Sequence, residues 1–148
     1  MIRVQLEPFD AAAEVAALTA GRTDVGAVVS FQGLVRADEA GARLTALTLE
    51  HYPGMTERAL TKIEAEACAR WPLQACLVVH RYGRMLPGEP IVLVVTASPH
   101  RQAAFEACAF LMDWLKTQAP FWKKAETEDG ERWIEAKTSD EAAAARWR

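Results

Sequence analysis

Ile91 to Ala97 reads IVLVVTA and runs without a spacer into Ser98-Pro99-His100-Arg101, followed by QAAFEACAFLMDWLKTQ to Gln118. The first run has no polar alternation, which predicts a strand at the centre of a sheet, covered on both faces. Ser98 can cap and Pro99 fits a first turn, so a helix is expected to start there. Ala104, Cys108, Leu111 and Leu115 form its apolar face, with Phe105 and Met112 beside it, and this face is expected to pack on the sheet. Pro120 ends the helix by about Gln118.

Working outward, Ile2 to Leu6 alternates as a short strand, and Asp10 can cap a helix over Ala11 to Leu18 that Gly21 ends. Val25 to Phe31 and Leu44 to His51 read as strands. The polar segment Gln32 to Arg43 joins them and is expected to be irregular and mobile when empty. Tyr52-Pro53-Gly54 turns the chain into a helix over Met55 to Ala69, with Met55, Ala59, Ile63 and Ala67 on one face and Pro72 as the stop. Cys76 to Tyr82 is a further strand, and Pro87-Gly88 can return the chain antiparallel to it. Trp133-Ile134 reads as a last short strand and Asp140 to Trp147 as a short helix. With no internal repeat and no dividing linker, residues 1–148 are expected to form one domain.

Seventeen Lys and Arg against twenty Asp and Glu leave a formal net charge of -3, so no general field recruits nucleic acid. No apolar stretch approaches the roughly 20 residues that span a bilayer. Glu7, Pro8 and Asp10 interrupt the N-terminal region where a signal peptide needs an apolar core. Cys68, Cys76 and Cys108 lack CxxC spacing and read as buried thiols of a reducing compartment, so the cytoplasm is expected. His51, His80 and His100 lie in separate segments without metal-ligand spacing, and the glycines match no nucleotide loop. No cofactor is implied.

Against this acidic background, His100, Arg101, Lys116, Lys123 and Lys124 meet only Glu106 and Asp113 between residues 100 and 124. His100 and Arg101 occupy a helix start, where free backbone N–H groups favour an anion; the same pair reads equally as a solvated histidine and a surface arginine. Lys116 borders the apolar helix face, and Lys123 follows Pro120, Phe121 and Trp122, which can shield a cleft. Partial burial lowers a lysine pKa and equips it to exchange protons, whereas most lysines are simply solvated.

Several of these segments together resemble one family. They are DVGAVVSFQGLVR (24–36), LTLEHYPGMTERAL (47–60), RWPL (70–73), VVHRYGRMLPGE (78–89), the block from SPHR at 98 to PFWKK at 124, and RWIEAK (132–137). The chain is similar to the large, catalytic subunit of molybdopterin synthase, the MoaE family. The resemblance implies an α+β fold, an α/β hammerhead with an additional antiparallel β subdomain. It also implies a sulfurtransferase that carries two sulfurs onto cyclic pyranopterin monophosphate and so forms the dithiolene. The implied sulfur source is the C-terminal Gly-Gly thiocarboxylate of a small, ubiquitin-like, MoaD-like subunit, one at each end of a central dimer. Carried over by matched motif, Lys116 and Lys123 are catalytic, while Arg36, His100 and Arg101 form an anion pocket for the pterin phosphate.

Two positions depart from the family pattern. The acid that commonly follows the basic pair is absent, since position 125 is Ala and the acid stands at Glu126; and Ala37-Asp38-Glu39 replaces a basic-Asn-His run after Arg36. A different class of function also fits a cationic site: a non-catalytic subunit that docks a ubiquitin-like tail or an anionic ligand. Retention of both Lys116 and Lys123 favours the enzyme, because docking needs charge but not two placed amines.

Overall fold

The computed structural model describes residues 1–134 and 138–148. The last three residues of the RWIEAK motif, 135–137, lie outside the described residues. In chain order the elements are β1 (Ile2–Gln5), α1 (Ala11–Thr19), β2 (Ala27–Leu34), β3 (Asp38–Glu39), β4 (Ala42–His51), α2 (Met55–Arg70), β5 (Ala75–Arg81), β6 (Gly83–Met85), β7 (Pro90–Ser98), α3 (Arg101–Gln118), β8 (Phe121–Thr127), β9 (Gly130–Ile134) and α4 (Thr138–Ala145). They build two sheets with helices, the α+β architecture expected.

The first sheet has the order β1-β5-β7-β2, parallel between β1 and β5 and antiparallel elsewhere. The IVLVV strand is indeed interior, and both of its faces are covered. Leu77, Val79, Leu93 and Val95 meet Phe9, Val15 and Leu18 at α1, while Val78, Val92 and Val94 meet α2 and α3. Strand parity makes this possible, because alternate residues of β5 and β7 point to opposite layers. The second sheet runs β3-β4-β8-β9 with β6 also on β4, around Val35, Leu44, Leu47, Leu49, Met85 and Ala125.

Several local expectations are corrected. Ser98 does not cap α3: it still pairs with Ala27 in β7 and its hydroxyl donates to the Pro72 carbonyl, so the cap falls to His100. The buried face of α2 is Thr56, Leu60, Ile63 and Ala67, with Met55 exposed, because the turn at Tyr52 tucks Thr56 inward. Phe105 is exposed on α3, and Cys68 is an exposed thiol, whereas Cys76 and Cys108 are buried as expected. Burial pushes Cys76 up to about 12 and Cys108 up to about 11, so both stay protonated and inert. The segment read as an irregular loop instead continues β2 to Leu34 and forms the β3–β4 hairpin, with Ala40 and Gly41 at positive φ in its turn.

The entry to α3 is tight. Thr96 donates to the Ala104 carbonyl from beneath the helix at 2.7 Å. The Gly26 N–H donates to the Ser98 carbonyl, and a Cβ at Gly26 would lie 2.0 Å from the Pro99 carbonyl oxygen. Gly26→Ala is therefore expected to destabilise the fold by about 2 kcal/mol through backbone displacement. A urea titration followed by far-UV circular dichroism measures this, and an unchanged midpoint would contradict the packing described.

Candidate functional site

The LEHYPGM motif is also a piece of geometry, because it carries β4 into α2. The Thr56 hydroxyl donates to the Tyr52 carbonyl and accepts the Tyr52 N–H, and the Glu57 carboxylate accepts the Gly54 N–H, which stands at positive φ. With the hydroxyl proton committed to Tyr52, the His51 Nδ1 at 3.1 Å must donate to Thr56. The turn thereby anchors the end of β4, the strand against which β8 registers.

That register positions the lysines. β8 pairs antiparallel with β4, Leu49 opposite Lys123 and Leu47 opposite Ala125. Lys123 and Ala125 thus share one face, and Lys124 and Glu126 share the other. Ala125 is fully buried in the second core cluster. Glu126 makes a paired contact with Arg84, both distances 3.0 Å, on the opposite face. The acid therefore does not replace a carboxylate at position 125; it clamps β6 to β8 instead.

A cleft of about 280 Å³ opens where the last turn of α3 meets the two sheets. Lys116 and Lys123 both line it, together with Arg36, and its walls include Leu49, Val92, Leu115 and Phe121. The structure thus brings together three of the five expected site residues. His100 and Arg101 do not line the cleft. They stand at the first turn of α3 and Lys116 at the last, about 22 Å apart along a helix rising 1.5 Å per residue. Both are exposed, and the first turn carries no acidic residue and no side-chain cap, so its N–H groups remain open to an anion.

Lys123 is half-buried, and its pKa is lowered from 10.5 to about 8, first by burial and then by the charge and amine of Lys116; Asp140 and Glu39 oppose the shift. An amine with that proton affinity exchanges protons near neutral pH, which an ordinary lysine does poorly. The two acids that oppose it come from separate elements, Glu39 from β3 and Asp140 from α4, and both line the cleft. Arg36 is mostly exposed at the mouth, 3.9 Å from Glu39.

His80 is a cleft residue that reading the motifs did not single out as functional. It is buried, stacked on Phe121 at 3.8 Å and 16°, and held by Nδ1 to the Arg81 carbonyl at 2.9 Å. The available signal was a histidine closing the apolar run CLVVHR on the face shared with Cys76 and Val78. Glu39 and Asp140 were legible only as surface acids. Among the described residues no cluster of three or more His, Cys, Asp or Glu is placed to hold a metal ion.

The family model described as MoaE protein matches residues 4–118. The molybdopterin synthase catalytic subunit of Mesorhizobium japonicum is 62% identical, covering 99% of this chain and 92% of that protein. That of Escherichia coli K12 is 53% identical over 95% and 93% respectively. Among solved structures, the molybdopterin biosynthesis MoaE protein from Burkholderia ambifaria superposes with a TM-score of 0.84 at 54% identity, covering 99% of this chain and 97% of that one. Molybdopterin synthase from Staphylococcus aureus gives 0.81 at 32% identity, over 90% and 96%.

The lysine pair generates a pH prediction. Lys123 binds its proton less tightly in the folded chain, about 8, than in the unfolded one, near 10.5, so its contribution to stability rises with pH across that window. Removing the like charge with Lys116→Met favours protonated Lys123 and moves its titration to higher pH. Side-chain nitrogen NMR on the two proteins measures both midpoints, and an unmoved Lys123 midpoint would show that the amines do not interact.

Proposed function

The chain belongs to the MoaE family, and on that premise we propose that it is the catalytic subunit of a molybdopterin synthase, an enzyme of molybdenum cofactor biosynthesis. It transfers sulfur to cyclic pyranopterin monophosphate and forms the dithiolene of molybdopterin. The observation that carries this reading is the pairing of Lys116 and Lys123 in one apolar-walled cleft, with Lys123 brought to a pKa of about 8.

The chemistry needs groups of this kind. Attack by a thiocarboxylate requires acid and base assistance, the departing oxygen requires a proton, and the phosphate and the carrier tail require cations. Lys116, exposed at the cleft mouth, is assigned to the thiocarboxylate carbonyl, and Lys123, deeper, to the reacting pterin carbons. Arg36 stands at the rim where an anionic substituent enters.

The relatives are named as subunits, and the sulfur donor proposed here is a small ubiquitin-like, MoaD-like partner whose C-terminal Gly-Gly thiocarboxylate threads into the cleft. His100 and Arg101 stand too far along α3 to serve the cleft of their own chain. They are assigned to the pterin phosphate in the cleft of a second copy, within a central dimer. Residues 1–148 act as one catalytic domain, since elements of both sheets wall the same cleft. Among the described residues no helix is long and apolar enough to cross a membrane, and the proposed site of action is the cytoplasm.

Dithiolene formation from thiocarboxylated carrier and cyclic pterin tests the assignment directly. Lys116→Ala and Lys123→Ala are each expected to lose at least about a hundredfold in rate, the scale of a lost acid–base group. Near-normal turnover in both would remove the lysines from the mechanism, and no product from the unmodified protein with carrier still bound would favour a docking subunit.

Sharing of the site is tested by mixing chains. An Arg101→Ala chain and a Lys116→Ala chain, each inactive alone, should recover activity in the mixed dimer, where one cleft regains both groups. No recovery would place Arg101 and Lys116 in service of the same chain.

A further inference from the structure

His80 is buried at 5% exposure in the wall of the cleft, beside both lysines, and its ring has no freedom to turn. Stacking on Phe121 sets the ring plane, and the bond from Nδ1 to the Arg81 carbonyl sets the rotation within that plane. A ring nitrogen facing a carbonyl oxygen must carry the proton, so in the neutral ring Nε2 holds a lone pair. Among the described residues no hydrogen bond reaches Nε2. The ring stays neutral because burial, and then the charges of Lys116, Lys123 and His51, outweigh the bond to Arg81; its pKa falls to about 3.

Among the described residues no other side chain lining the cleft is a neutral ring acceptor. Arg36 and Lys116 donate, Lys123 accepts only after giving up its proton, and the acceptors Asp38, Glu39 and Asp140 are carboxylates on β3 and α4. A carboxylate at position 80 would face two ammonium groups and cancel the charge that the anionic substrate requires. A neutral imidazole accepts a hydrogen bond while leaving that charge intact. An acceptor that lines the cleft without a protein partner is open to a ligand that supplies the donor.

We propose that His80 is a substrate-reading residue of this site, its Nε2 accepting a hydrogen bond from an N–H of the pterin ring system. The assignment rests on the synthase reading and extends it from charge to the orientation of the heterocycle. Cations at the mouth and in the cleft recognise the anionic groups, and His80 recognises the donor edge. Phe121, from the PFWKK motif, is then a holder of His80 as well as a wall of the cleft.

Steady-state dithiolene formation with His80→Phe and His80→Gln separates the acceptor from the packing. His80→Phe keeps a flat ring against Phe121 and is expected to raise KM for the cyclic pterin about tenfold, equivalent to about 1.4 kcal/mol. His80→Gln restores an acceptor oxygen and is expected to recover most of that loss. An unaltered KM in His80→Phe overturns the assignment, as does a Gln variant no better than Phe.

A second measurement needs no substitution. In the unmodified protein labelled with ¹⁵N-histidine, the His80 Nε2 resonance should lie in the unprotonated range and move upfield when cyclic pterin is added anaerobically. A resonance unmoved by saturating pterin overturns the proposal. Failure of the unmodified protein to form dithiolene with carrier would instead count against the synthase reading, and the nitrogen measurement is separate from it because it needs pterin binding but no turnover.

Discussion

The antiparallel register of β8 on β4 is the constraint on which the site depends. Setting Leu49 opposite Lys123 turns that lysine and Ala125 toward the interior, and turns Lys124 and Glu126 outward. A slip of one residue would bury Lys124 and Glu126, expose Ala125, and break the paired contact between Arg84 and Glu126. Burying an ammonium group beside a second one is unfavourable, so the register must be secured by something else. It is secured by the apolar cluster of Leu44, Leu47, Leu49, Met85 and Ala125, and by the Thr56-centred turn that ends β4.

Helix α3 imposes the second constraint, which is distance. It is fixed at its start by Thr96 beneath Ala104 and by the close approach of Gly26 to Pro99, and along its length by Leu111 and Leu115 in the core. A rod held this way cannot bend its two ends together, so the cationic first turn and Lys116 serve different places on the surface. Strand β2 is an edge of the first sheet, eight residues long, with Val28, Phe31 and Leu34 exposed, and Phe31 and Leu34 also line the cleft. An apolar edge of that length is usually covered in the working assembly.

Much of this was legible in residue order. The unbroken IVLVV run correctly marked an interior strand, and the spacing of Ala104, Cys108, Leu111 and Leu115 marked the buried face of α3. Lys116 and Lys123 were legible because aromatic and apolar neighbours announce partial burial. What escaped is mostly tertiary. β8 begins at Phe121, within a stretch read only as cleft-shielding aromatics and lysines, and its strand character comes from pairing with β4 and β9 rather than from alternation. Residues 32–43 are polar enough to read as a loop, yet β2 extends into them as a partner of β7 and the Ala40-Gly41 turn closes a hairpin. That His100 and Arg101 are remote from Lys116 needed only the length of the helix, but their nearness in sequence invited grouping.

The same order of residues also settles what Glu126 does. Had position 125 carried an acid, strand parity would have aimed it at the interior beside Lys123, where an opposite charge favours the protonated amine and raises its pKa. Alanine there leaves Lys123 with burial and the Lys116 charge lowering its proton affinity. The carboxylates that temper this effect, Glu39 and Asp140, arrive from β3 and α4. In this chain the proton affinity of one amine is thus set by elements distant in sequence, and any movement of the β3–β4 hairpin or of α4 alters it. Any anion placed near those carboxylates would act on the same amine with the same sign and strengthen the hold of Lys123 on its proton. The neutral ring of His80 does not disturb that balance, which is why an imidazole fits beside the two amines where a carboxylate would not.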